Sequence, residues 1–150
     1  MTPISTNRIL SIMASVAGTV LTISAVGKIF NLPLFATLLS GIFPFSATMS
    51  FVFAILIFAL ESAVGLTLIF YPGSITGKAL GAIMFLSFAL TQAFIIAMNI
   101  NTECGCFGLF QGELLTRILT NHWFMLMCDI FFGIMLCINC PFFTRRSFVN

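Results

Sequence analysis

The stretch Asn101-Thr102-Glu103-Cys104-Gly105-Cys106-Phe107-Gly108 sets two thiols one residue apart, with glycine between them and glycine following. A disulfide across that spacing closes a small ring and departs from relaxed geometry. Such strain makes the bond easier to reduce, hence more oxidising. Gly105 has no Cβ and can take the backbone angles the ring demands. Gly108 permits a sharp turn where the chain re-enters a helix. A labile pair in an oxidising compartment is what thiol–disulfide exchange requires. A structural disulfide normally ties distant segments together, which this pair cannot do. The competing readings are an inert local disulfide and two ordinary thiols. Structural zinc needs four ligands. His122 would be a third and Glu103 is adjacent and poorly placed, so no metal is expected. There is no Cys-x-x-Cys-His heme motif.

Three ionisable residues fall inside apolar runs, where they are costly and usually functional: Lys28, Glu61 and Asp129. By depth along their spans, Lys28 is expected to pair with Asp129 rather than Glu61. The pair would order a helix bundle or serve as a proton route for thiol chemistry. Glu61 has an alternative as a neutral acid bonded to Gln92 or a backbone carbonyl. Arg117, His122 and Trp123 cluster near the start of the last apolar run. Trp123 reads as an interface anchor. His122 could donate to a quinone carbonyl or shuttle a proton, or serve as an interfacial polar group. Arg117 could lower a nearby thiol pKa or meet Glu113 one helical turn away. Cys128 reads as a small apolar side chain, with a second redox partner as the alternative. Cys137-Ile138-Asn139-Cys140 has the spacing of a redox motif. It sits at a helix C-terminus, where reactive pairs gain nothing, so inert thiols are expected, with a through-membrane electron relay by way of Cys128 as the alternative.

Elements that position these residues follow from composition. Of 150 residues, 60% are hydrophobic and 7% charged. Mean hydropathy is +1.17. A soluble domain of this size could not hide so much apolar surface. A net charge of +2 is too small for a polyanion-binding surface, so nucleic acid is excluded as a partner. The bilayer is the expected solvent. Crossing ~30 Å of hydrocarbon takes about 20 apolar residues in a helix. The uncharged runs predict four spans: Ile9 to Phe30, Ala47 to Phe70, Ile75 to Met98, and Asn121 to Pro141. A short interfacial helix, capped by Asn31 and running through Leu39, should lie between the first two. Tyr71-Pro72-Gly73-Ser74 is a tight turn. The expected fold is therefore all-α, a four-helix bundle in one domain over residues 1–150. The first apolar run exceeds the ~7–15 residues of a signal peptide core, so cleavage is not expected. Small residues four apart predict close helix contacts within the bundle at Ala14/Gly18, Ala59/Ala63 and Gly77/Gly81.

Orientation follows the basic residues. Arg8, Lys78, Arg145 and Arg146 would share one side, Lys28 and Arg117 the other. This predicts cytoplasmic termini and an outward-facing Cys104–Cys106 connection.

The chain resembles the MauE branch of the MauE/DoxX-like membrane proteins. The resemblance rests on Gly27-Lys28 followed by Asn31-Leu32-Pro33, on Leu60-Glu61-Ser62-Ala63-Val64-Gly65-Leu66, and on Cys104-Gly105-Cys106-Phe107-Gly108. It covers about residues 10 to 140. It implies a bacterial inner-membrane protein of disulfide formation or thiol redox transfer, working beside a thioredoxin-like extracytoplasmic partner. It also implies a four-helix arrangement broadly similar to quinone-linked disulfide oxidases, which makes a quinone a candidate cofactor. The chain lacks those enzymes' Cys-x-x-Cys near an outer helix end and their second outer cysteine pair. The alternative function is a non-enzymatic accessory subunit, with or without bound quinone, in a larger membrane complex with other subunits.

Overall fold

A computed structural model describes residues 3–98 and 121–140. Within them the chain forms five helices: α1 (Pro3–Phe30), α2 (Leu32–Ile42), α3 (Ala47–Phe70), α4 (Ile75–Ala97) and α5 (His122–Ile138). There is no strand among the described residues. Three stretches are long and apolar enough to cross a membrane: Arg8–Phe30, Ala47–Phe70 and Ile75–Ala97. They match the first three expected spans to within a residue. The fourth expected span is shorter than drawn. At 17 residues, α5 is about 26 Å long at a helical rise of ~1.5 Å per residue. Asn139 and Cys140 after it are no longer helical, and Pro141 lies outside the described residues.

Local chemistry fixes the helix ends. Ser46 and Ser74 cap α3 and α4, their hydroxyls accepting from the backbone N–H of Met49 and Gly77. The Tyr71–Ser74 turn closes through the Ser74 N–H donating to the Tyr71 carbonyl at 2.9 Å. Asn121 caps α5 by accepting from the Trp123 N–H. Asn31 precedes α2 but its side chain makes no capping bond, which corrects the expectation for it. Pro33, in the first turn of α2, removes one donor that a cap would satisfy. Nor does α2 stop at Leu39. It runs on to Ile42 and buries Phe35, Ala36 and Leu39 against Ala54 of α3.

The helices associate as two antiparallel pairs, α1 with α3 and α4 with α5, with α2 laid on α3. In lipid there is little hydrophobic drive between helices, so close backbone approach matters. A Cβ on Gly18 would stand 2.7 Å from the Gly65 carbonyl oxygen and 2.8 Å from Leu68 Cβ. Gly81 faces Leu68 and Leu136. The core joins both pairs through Ala14, Ala17 and Leu21, Val64 and Leu68, Ala82 and Phe85, and Leu136. Phe85 and Phe132 stack across α4 and α5 at 5.3 Å between ring centroids. The expected small-residue contacts hold at Ala14/Gly18 and Gly77/Gly81. They fail at Ala59/Ala63, which are exposed. Large apolar side chains cover the outside, Leu90 at 74% and Phe70 at 69% exposure being extreme. Such a surface suits lipid contact and no aqueous one.

Candidate functional site

At one end of the bundle the two helix pairs part. There α1, α2 and α4 end and α5 begins. Between the pairs lies a cavity of about 550 Å³, within the ~300–1,000 Å³ typical of small-molecule sites. Lys28 and Glu61 face it from α1 and α3, Gln92 from α4, and Cys128 and Asp129 from α5.

Lys28 is 1% exposed and Glu61 is fully buried. The Lys28 ammonium donates to both Glu61 oxygens, at 2.8 Å to Oε1 and 2.6 Å to Oε2. It donates a third time to Ser24 Oγ at 2.7 Å. An ammonium has three hydrogens, so this one is fully committed. The Phe88 ring centroid lies 4.8 Å from Nζ and the Phe35 ring 5.6 Å. Both distances fall within the ~6 Å range of cation–π attraction. A charge this deep is tolerable only with such complete pairing.

This corrects the expected Lys28–Asp129 pair, and Glu61 is not bonded to Gln92 or a backbone carbonyl. The physical reason is side-chain direction. Counting from the Gly18–Gly65 contact, Lys28 is ten residues along α1, about 15 Å, while Glu61 is only four along α3, about 6 Å. Helical side chains lean toward their own N-terminus. In an antiparallel pair the two therefore lean toward each other, and the long lysine closes the gap. Its bond to Ser24, four residues earlier, records that lean.

On the opposite wall, His122 Nδ1 lies 2.9 Å from Gln92 Oε1. With that oxygen accepting, the ring hydrogen sits on Nδ1. The bond links the end of α4 to the start of α5. Cys128 is half-buried and its thiol is free. Asp129 is buried at 8% exposure. Cys137 and Cys140 are also free thiols, at the far end of α5 and remote from the cavity. Among the described residues no group of His, Cys, Asp or Glu could hold a metal ion.

The sequence-predicted residues thus divide. Lys28, Glu61 and Asp129 share one cavity, and His122 supports its wall through Gln92. Cys104, Gly105, Cys106, Phe107, Gly108 and Arg117 lie outside the described residues. Their segment leaves α4 at Met98 and rejoins α5 at Asn121, at the cavity's end of the bundle. Sequence reasoning misses Ser24, Phe35 and Phe88. Ser24 carries a signal, its spacing of four from Lys28. The two rings carry none among 19 phenylalanines.

Comparison with known proteins gives one family: the model described as methylamine utilisation protein MauE matches residues 6–138. No curated protein and no solved structure matches the chain.

Proposed function

The chain belongs to the family of the methylamine utilisation protein MauE, and from that premise we propose that it is a membrane thiol–disulfide redox protein. Cys104 and Cys106 exchange with a thioredoxin-like extracytoplasmic partner and so support disulfide formation in exported proteins. The observation that carries this reading is the Cys104-Gly105-Cys106 spacing inside the matched region. Helix α5 is the fourth span of the bundle, both termini are cytoplasmic, and the cysteine connection faces outward from a bacterial inner membrane. The distribution of Arg8, Lys78, Arg145 and Arg146 against Lys28 and Arg117 supports that orientation.

Exchange proceeds by attack of a thiolate on a disulfide sulfur, through a mixed disulfide. If Cys104 attacks, Cys106→Ser removes the thiol that resolves the adduct. A covalent complex with the partner should then accumulate on non-reducing gels and vanish with reductant. If Cys106 attacks, Cys104→Ser gives the same result. Absence of any adduct with both single variants would overturn the exchange reading.

A second reading, an accessory subunit of a larger membrane complex, draws on exposed side chains such as Phe70, Phe94 and Phe131. It predicts copurifying subunits in mild detergent, whereas the exchange reading predicts a reductant-sensitive partner.

A further inference from the structure

The cavity has polar capacity that the Lys28–Glu61 pair does not use. Each Glu61 oxygen accepts one bond from Lys28 and retains a lone pair for another. Ser24 Oγ accepts from Lys28, and its own hydrogen has no acceptor among the described residues. So the deep wall offers one donor and two acceptor sites within a few ångströms. Most of the remaining lining is apolar or aromatic, Phe35, Phe88 and Phe132 included, with Gln92 and Asp129 on the side of α4 and α5.

Access is lateral. Ile23 of α1 and Ser87 of α4 both border the cavity and are both exposed, and α1 and α4 touch little. In a bilayer that gap opens on lipid. A ligand arriving there must be lipid-soluble. Its head should not be an anion, because Lys28 is already satisfied and the other charged lining groups, Glu61 and Asp129, are acids. A fatty acid is therefore disfavoured. A head that alternates between carbonyl and hydroxyl matches a wall offering both a donor and acceptors.

We propose that the cavity between the two helix pairs binds the head of a lipid-soluble quinone, with Ser24 and Glu61 meeting its ring oxygen. This moves the quinone contact expected at Arg117 and His122 to the opposite wall. The choice of a quinone rests on the exchange reading, in which a thiol pair that oxidises its partner must itself be reoxidised; a quinone is a two-electron acceptor soluble in the lipid on which the cavity opens. In that direction the Cys104 and Cys106 thiols form a disulfide and release two electrons and two protons. The quinone takes up the same electrons and protons and becomes a quinol.

The full chain is reconstituted in phosphatidylcholine vesicles and photolysed with an azido-benzoquinone bearing a decyl tail. Adducts should fall on the cavity-lining residues of α1, α3, α4 and α5, those around Ser24 and Glu61 included. Unlabelled decyl-quinone in about tenfold excess should cut labelling about tenfold, by competition for one site. Decanol should not. Ser87→Trp, at the exposed mouth, should cut labelling similarly. Leu90→Trp, on the lipid face, should leave it intact. Labelling spread over lipid-facing residues, or equally suppressed by decanol, would overturn the proposal. The double variant Cys104→Ser/Cys106→Ser should label normally, because the site contains neither thiol. If labelling is specific but no partner adduct forms, the exchange reading fails alone. If adducts form but labelling is unspecific, the cavity proposal fails alone.

Discussion

Replacing Lys28 with Met is expected to destabilise the protein by about 3–5 kcal/mol, the usual cost of leaving one member of a buried ion pair uncompensated. Glu61 would lose both of its bonds at a fully buried position. Methionine keeps most of the lysine's length and its apolar stem, so the loss is mainly electrostatic rather than steric. The double variant Lys28→Met/Glu61→Met removes both charges together. It should recover most of that loss, since an apolar replacement of a whole buried pair is often near neutral. Thermal unfolding in detergent, with all three proteins compared, measures the effect. A single variant as stable as the parent would show that Glu61 finds another partner.

The second large effect is steric. Gly18→Ala places a methyl 2.7 Å from the Gly65 carbonyl oxygen and 2.8 Å from Leu68 Cβ. Neither is the free end of a flexible side chain, so α1 and α3 must separate. A loss of about 1–3 kcal/mol is expected, as for other overpacked contacts. Separation would also pull Lys28 away from Glu61, so the two effects are coupled rather than additive. Gly41→Ala is the control. Gly41 lies in α2 and a Cβ there meets nothing within 4 Å. It should gain about 0.5–1 kcal/mol from helix propensity. The same unfolding measurement reports both, with opposite signs expected.

Much of this architecture is legible in the amino-acid sequence. Continuous apolar runs bounded by Arg8, Lys28 and Lys78 mark helices, and Tyr71-Pro72-Gly73-Ser74 marks their turn, because these signals are local. The ends of α2 are less legible. Pro33 satisfies the first turn without help from Asn31, and packing of Leu39 on α3 carries the helix onward. Helix pairing is legible only in part. Ala59/Ala63 has the same spacing as Gly77/Gly81 yet faces outward, because spacing along one helix does not say which face meets a neighbour. The Lys28–Glu61 pair escapes a sequence reading for a related reason. Depth along a span is counted at Cα atoms, whereas the charges sit several ångströms away along side chains that lean toward each other. The cavity is not legible at all, since it belongs to the space between two helix pairs.

The buried pair and the thiols have separate roles. Lys28, Glu61 and Ser24 tie α1 to α3 and shape one wall of the cavity. On the proposed reading, Cys104 and Cys106 perform the exchange, from a segment whose two ends, Met98 and Asn121, stand beside that cavity.

The most direct test of thiol–disulfide exchange is the redox state of Cys104 and Cys106 in intact cells, read by acid trapping and membrane-impermeant alkylation. The account predicts a partly oxidised pair, reachable from outside, whose oxidised fraction shifts when the thioredoxin-like partner is removed. A pair wholly oxidised and indifferent to every reductant pathway would contradict it.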